Sequence, residues 1–336
     1  MRYYCTLFDV NYLPNFLALY DSLLHTSTKL KIYAFCMDQK SYDYLSKYQG
    51  NSVGEIVCVN LSQLMNEFPI LTELKQQRSI VEFYFSCSPF ICSYVFLKEQ
   101  SCALLTYLDA DLYFFSSAEK IYEEIGDASV AIIEHKFHGW GKRYMKYGRF
   151  NVGWVSFRRD TEGQKCLKSW LNDCQEWCFD YYDEAGQRFG DQKYLDKWEH
   201  EFSGVKIIKQ KGANVAPWNA GQYKISKNAQ NQIFIDQDVL VFYHFASFKK
   251  IAPDTYTTSM SRYMVRPCPV LKTDIYKKYL NEVAKYSEII NKALASDAAE
   301  VMKKNRTAVN QNSIRKSATQ LFTSFRRWYY NDYIYK

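Results

Sequence analysis

The sequence has no C-x-x-C pair and no Cys/His cluster at zinc spacing among its 10 cysteines, which excludes a zinc module or a dithiol redox motif. Scattered through strand-like and helical segments, those cysteines read as reduced, buried thiols of a cytoplasmic protein. No run of about 18 uncharged apolar residues occurs. Met1-Arg2-Tyr3-Tyr4 leads into a strand-like run instead of the apolar stretch of a signal peptide, so the expectation is a chain neither classically secreted nor membrane-spanning. No glycine lies between Asp9 and Asn15, after the first strand-like run, which argues against a Gly-rich phosphate loop there. Internal repeats and low-complexity linkers are also missing. Residues 1–300 carry no charge excess, with 35 basic and 35 acidic side chains. The formal charge of +7 therefore sits in the last 36 residues, and with no cation-lined groove a nucleic-acid partner is not expected.

What is abundant is aromatic: 17% of 336 residues, including 29 Tyr and 7 Trp, which suits either ring stacking on ligands or a large core. The first half alternates short apolar runs with helical patterns, the signature of a mostly parallel α/β sheet. Strands are expected at Tyr3–Phe8, Leu30–Met37, Glu55–Leu61 and Ala103–Leu108, the last lying centrally. Helices follow from Pro14, over Tyr42–Tyr48 and around Val81–Leu97. Later strands are expected at Val130–Glu134, Phe150–Phe157, Val205–Lys209 and Val239–Phe245, and helices at Ala118–Ile125, Gln164–Cys178 and Asp191–Glu201. Residues 135–149, rich in Gly, Lys and aromatics, read as a mobile loop whose His135, His138, Trp140, Lys142 and Arg143 could close over a ligand. After Pro253 the sheet pattern ceases and Ile275–Leu294 is helical. At the end Ile314, Ala318, Leu321, Phe325 and Trp328 form an apolar stripe with Arg315, Lys316, Arg326 and Arg327 off it. Such a helix suits an anionic membrane surface or, alternatively, docking on the rest of the protein.

Asp109-Ala110-Asp111 follows the central strand, the position where open α/β sheets bind ligands. Two carboxylates at i and i+2 can converge on one hard divalent cation, which neutralises a diphosphate. Asp236-Gln237-Asp238 has the same spacing but separates two short strands and reads as a hairpin turn. Asp191 could cap a helix or contact a ligand. Arg78 could reach a phosphate or pair with Glu82 one helical turn on. Asn214–Asn219 has ring and amide groups, Trp218 and Asn219, suited to an acceptor sugar, but a Pro-Trp turn packed on the core would look the same.

Several segments together resemble a known family. Cys5-Thr6-Leu7-Phe8-Asp9-Val10-Asn11-Tyr12, Tyr107-Leu108-Asp109-Ala110-Asp111, Phe150-Asn151-Val152-Gly153-Trp154, Gly190-Asp191-Gln192, Trp218-Asn219 and Val241-Phe242-Tyr243-His244-Phe245 resemble, in order, the motifs of retaining GT-A glycosyltransferases of family 8. The resemblance runs from residue 3 to about residue 250. It implies that Asp9 and Tyr12 hold the nucleotide base, that Asp109 meets ribose and metal, and that Asp111 and His244 bind the metal, Mn²⁺ or Mg²⁺. It further implies that Asn151, Gly153, Asp191 and Gln192 line the donor-sugar pocket, with Asp191 or Gln192 near the anomeric carbon. The family's glycine, lysine, proline and tryptophan after the histidine are replaced by Ala246-Ser247-Phe248-Lys249-Lys250, leaving Lys249 or Lys250 as the phosphate contact.

The expected protein is a GT-A domain over residues 1–255, a helical region over 256–300 and a basic amphipathic tail over 301–336. Its expected activity is metal-dependent transfer of a hexosyl unit from a UDP-sugar to a glycan or lipid-linked acceptor with retention, on the inner face of a membrane. An inverting enzyme would need a base, for which Asp180, Asp183 and Glu184 are candidates. The rivals are a sugar-1-phosphate nucleotidyltransferase, which the glycine-free Asp9–Asn15 disfavours, and a catalytically silent nucleotide-sugar-binding protein at the membrane.

Overall fold

The computed structural model describes residues 1–26, 29–48, 54–301 and 317–336. Two βαβ units open the chain: β1 (Arg2–Phe8), α1 (Leu13–Thr26), β2 (Leu30–Cys36), α2 (Gln39–Leu45) and β3 (Gly54–Asn60). Pro14 sits in the first turn of α1, where its missing N–H leaves no bond unmade. Helices α3 (Leu61–Glu67), α4 (Ile70–Gln77) and α5 (Ile80–Lys98) then carry the chain to β4 (Leu104–Leu108), which pairs with the other edge of β1. The strand order reverses at this point, and open α/β sheets form a crevice there, beyond the carboxyl ends of β1 and β4.

The sheet continues through β5 (Leu112–Phe114), α6 (Glu119–Ile125), β6 (Val130–Glu134), β7 (Phe150–Arg158), α7 (Thr161–Glu176), α8 (Trp198–Glu201) and β8 (Val205–Ile208), although β5 leaves its plane. Its order is β3-β2-β1-β4-β7-β6-β8, and β7 alone runs against its neighbours. The mostly parallel α/β sheet expected from the sequence is the one observed. Opposite β6, β7 bulges: Ile132 pairs with Val155 but Ile133 with Asn151. The three extra residues, Val152 to Trp154, lie beside the end of β4, and bulges of this kind re-aim side chains near sites.

A second layer follows: β9 (Ile225–Lys227), β10 (Ile233–Ile235), β11 (Asp238–Val239) and β12 (Phe242–His244). The turn containing Asp236 joins β10 to β11, as expected of that second Asp-x-Asp. After Pro253 the strand pattern does not cease. β13 (Lys249–Ala252), β14 (Thr255–Thr257) and β15 (Tyr333–Tyr335) form a small sheet, with α9 (Lys277–Val301) and α10 (Ser317–Tyr329) between its last two strands. This pairing is 75 or more residues apart in sequence, and so local patterning could not show it.

Two apolar layers hold the sheet. One packs α1 and α9 against β5, β12 and the inner face; the other packs α5 and α7 against the opposite face. Helix α5 is apolar on every side and, by length and composition alone, could cross a membrane. Its Phe83, Cys87, Phe90, Ile91, Cys92 and Val95 are instead buried with Cys5, Leu105 and Trp170 in the second layer, which accounts for that composition.

Candidate active site

A cleft of about 380 Å³ opens at the strand-order reversal. Asp9 and Tyr12 border it from the end of β1, Asp109 and Asp111 from the end of β4, and Asp191 and Gln192 from the loop before α8. The sequence motifs thus converge on one place because each ends a strand of the same sheet or enters a helix beside it.

His244 arrives by a different route. β12 pairs antiparallel with β5, placing His244 opposite Leu112, and Phe245 N–H donates to the Asp111 carbonyl at 3.0 Å. The imidazole Nε2 consequently lies 3.1 Å from Asp111 Oδ1 and 3.6 Å from Asp109 Oδ2. Ligand atoms of all three residues fall within 4.8 Å of one another. Oxygens and nitrogens around one six-coordinate divalent ion at about 2.1 Å are themselves roughly 3 to 4 Å apart, so this donor set fits such an ion.

Hydrogen bonds fix which imidazole nitrogen faces the carboxylates. Gly153 N–H donates to Asn151 Oδ1 at 3.1 Å, identifying that atom as the carbonyl oxygen, and the same oxygen accepts from His244 Nδ1 at 3.1 Å. Nε2 is then the free ligand nitrogen. Behind Asn151, its Nδ2 lies 3.4 Å from His135 Nε2, and burial pushes His135 down to about 3, keeping it neutral. Gly153 is needed for the packing: a Cβ there would stand 2.6 Å from Asn151 Oδ1 and 2.8 Å from His244 Nδ1.

The electrostatics of the cleft are one-sided. Asp9, Asp109, Asp111 and Asp191 border it, and among the described residues no Lys or Arg lines it. Burial pushes Asp109 up to about 6 and Asp191 up to about 7. Burial alone would depress His244, but Asp111 and Asp109 outweigh it and raise its pKa. Asp191 Oδ2 accepts from Ser88 Oγ at 2.8 Å, and its backbone carbonyl accepts from Trp170 Nε1 at 2.9 Å. It does not act as a helix cap, for the following turns run over Lys193–Lys197 with Gln192 at the cap position and no side-chain cap. Gln192 Nε2 donates to the Tyr147 carbonyl at 3.0 Å.

Four expected ligand contacts stand elsewhere. Arg78 is sealed away from the cleft, donating to Ser86 Oγ and to the carbonyls of Cys174 at 2.7 Å and Gln175 at 2.8 Å. Glu82, its alternative partner, instead completes a capping box with Ser79. Trp218 is buried edge-on to His244, ring centroids 5.1 Å apart, and the Asn219 amide donates to the His135 and Asn214 carbonyls at 2.8 Å. They brace the site from behind, which favours the packed Pro-Trp turn. Lys249 is exposed on β13 and does not line the cleft, and neither does Lys250. Sequence reasoning missed Ile80, Tyr84, Phe85 and Ser88 on one face of α5, and Phe189. Ile80 at 68% exposure shows the available signal: apolar residues at helical spacing on a helix start that stays open.

No family model matches the sequence. The chain is 30% identical over 266 residues to the uncharacterised protein YfnD of Bacillus subtilis (strain 168), covering 78% of this chain and 82% of that protein. Over 258 residues it is 30% identical to the uncharacterised protein YfnF of the same strain, covering 74% and 82%. Among solved structures, the apo-form glycosyltransferase GlyE of Streptococcus pneumoniae TIGR4 superposes with a TM-score of 0.49 at 14% identity, over 88% of this chain and 64% of that one. The identity and coverage shared with the two Bacillus proteins make this chain a member of the YfnD and YfnF family.

Proposed function

We propose that the chain is a metal-dependent glycosyltransferase that moves a hexosyl unit from a UDP-sugar to a glycan or lipid-linked acceptor. The observation that carries the reading is the convergence of Asp109, Asp111 and His244 at the strand-order reversal, in a cleft bordered by Asp9 and Tyr12. Bound there, Mn²⁺ or Mg²⁺ would supply positive charge to a departing diphosphate. Asp109 and Asp111 would hold it from the end of β4, and His244, held by Asn151, would offer Nε2. Asp9 and Tyr12 border the space for the nucleoside, and Ile80, Val81 and Phe85 of α5 add an apolar wall to the same cleft. Asp191 and Gln192 border the same cleft and are the groups available to the donor sugar. Retention is favoured by the placement of the alternative bases: Asp180, Asp183 and Glu184 do not line the cleft, and Asp183 is engaged by Arg188 at 2.8 Å.

The reading extends to a peripheral place on the inner, anionic face of a membrane. Support comes from Phe325 and Trp328, 60% and 68% exposed on α10 beside Arg326 and Arg327. Ile314 of the expected stripe, the flanking Arg315 and Lys316, and Lys303, Lys304 and Arg306 lie outside the described residues.

The deciding measurement is UDP release from a panel of UDP-sugars with Mn²⁺, with Mg²⁺ and with EDTA. Slow metal-dependent release, lost in Asp109→Asn/Asp111→Asn and in His244→Ala, is expected. Metal-dependent UDP binding without any release from the panel would favour the silent binding protein, and no UDP binding at all would overturn both.

A further inference from the structure

Beside the cleft lies a surface that donor chemistry leaves unused. Phe189, which lines the cleft, packs against Tyr147 with ring centroids 4.7 Å apart. From Tyr147 the rings continue to Tyr182 at 6.0 Å and to Tyr144 at 6.1 Å, and from Tyr144 to Tyr263 at 5.4 Å. Residues 139–147, expected as a mobile loop, are wound into 3-10 turns that fix this row of rings.

Cations lie over the same rings, and Arg143 Nη2 also donates to the Tyr144 hydroxyl at 2.9 Å. The Arg143 guanidinium stands 4.6 Å from the Trp140 centroid and 4.9 Å from Tyr144. Lys146 Nζ stands 4.9 Å from Tyr147 and 5.4 Å from Tyr182, and Arg262 is 5.5 Å from Tyr144. Among the described residues none of the three is in an ion pair. The Asp180 carboxyl, which burial and Glu82 push up, is pulled down by Arg262. Burial would raise Tyr144, yet Arg143 and Arg262 outweigh it and lower its pKa, a second sign of excess positive charge.

This pattern contrasts with the neighbouring cleft, which Asp9, Asp109, Asp111 and Asp191 border. Aromatic faces take the C–H face of a pyranose ring, while stacked guanidinium and ammonium groups keep N–H donors for anionic oxygen. We infer that this ledge is the acceptor subsite and that it takes an oligosaccharide bearing a carboxylate or phosphate group. The assignment rests on the glycosyltransferase reading for the word acceptor; the preference for an anionic sugar stands on the ledge alone.

The test is calorimetric titration of the full chain with matched probes: trigalacturonate against its methyl ester, and mannotriose 6-phosphate against mannotriose. An advantage of roughly tenfold, one charge-assisted contact's worth, is expected for at least one anionic member, and the two pairs separate carboxylate from phosphate. The advantage should fall with added salt and vanish in Arg143→Ala/Lys146→Ala and in Lys146→Glu, whose folding is checked by melting temperature. Equal binding within both pairs, or a preference that survives both variants, overturns the inference. So does an anionic preference absent from sugars but present for phosphatidylserine vesicles, which would make the ledge a membrane contact. UDP and Mn²⁺ binding, measured in parallel, reports separately on the transferase reading.

Discussion

Asn151 Oδ1 accepts the His244 Nδ1 proton at 3.1 Å and so turns Nε2 toward Asp109 and Asp111. The amide cannot be read from the other side, because the Gly153 N–H bonded to the same oxygen can only donate. Asn151 therefore acts on the metal position through histidine. Asn151→Ala is expected to weaken Mn²⁺ binding 10- to 100-fold, the usual cost of removing such a support, with the melting temperature of the metal-free protein far less affected. Mn²⁺ titration followed by electron paramagnetic resonance reads this directly, and unchanged affinity would remove Asn151 from the role.

Gly153 gives a sharper test of the same contact. An added methyl group would enter the space held by Asn151 Oδ1 and His244 Nδ1, both closer than any ordinary Cβ contact. Gly153→Ala should cost about 1 to 3 kcal/mol of stability through overpacking and displace the imidazole. The expected signature is a loss of Mn²⁺ affinity at least as large as that of Asn151→Ala.

How far the sequence revealed this site depends on the range of the interaction concerned. Asp9, Asp109 and Asp111 were legible because each follows an apolar strand directly, and a strand end in a parallel sheet is already a position in space. His244 was placed by the order of motifs. Its actual delivery depends on β12 pairing with β5, 130 residues earlier in the chain, which no local pattern encodes. Arg78 was misplaced for a physical reason: an arginine at a helix start looks free to reach a phosphate until tertiary packing supplies the carbonyls of Cys174 and Gln175. Residues 139–147 misled through composition, since Gly and Lys suggest mobility whereas the interlocked rings impose order.

Because four carboxylates and, among the described residues, no Lys or Arg border the cleft, metal should be needed for nucleotide binding and not only for catalysis. UDP binding measured by calorimetry is expected with Mn²⁺ and undetectable in EDTA. Retention of UDP affinity within tenfold after chelation would mean that some basic group reaches the diphosphate after all.

Asp191 carries a pH signature. Its folded pKa of about 7 lies above the ordinary 3.8, so the folded state holds the proton more tightly than the unfolded chain does. That contribution to stability is fully present below about pH 4 and is lost as pH rises toward 7. Above pH 7 the buried carboxylate is ionised in the folded protein, at a cost of at most about 4 kcal/mol. Asp191→Asn should thus melt higher than the parent at pH 8 in EDTA, with the gap closing progressively toward pH 4, while sugar transfer is lost. A gap independent of pH would show that Asp191 titrates normally.

The chain's end tests the membrane reading without truncation. Asp332 is fully buried and accepts from Thr258 Oγ1, from Thr257 Oγ1 at 3.2 Å and from Ser261 N–H at 3.2 Å, while β15 pairs with β14. Deleting this segment would leave those donors unsatisfied and strip a strand from the small sheet, confusing anchoring with folding. Substitution of exposed residues avoids the problem. Phe325→Ser/Trp328→Ser removes two large apolar side chains from α10 without touching Asp332. Each buried ring stabilises membrane association by roughly 2 kcal/mol, so binding to phosphatidylserine vesicles should fall by two orders of magnitude or more. Arg326→Gln/Arg327→Gln should weaken binding at low salt and matter little at high salt, since surface attraction of about 1 kcal/mol per cation is screened. Sedimentation with vesicles measures both, and full binding by the aromatic double variant would end the case for α10 as an anchor.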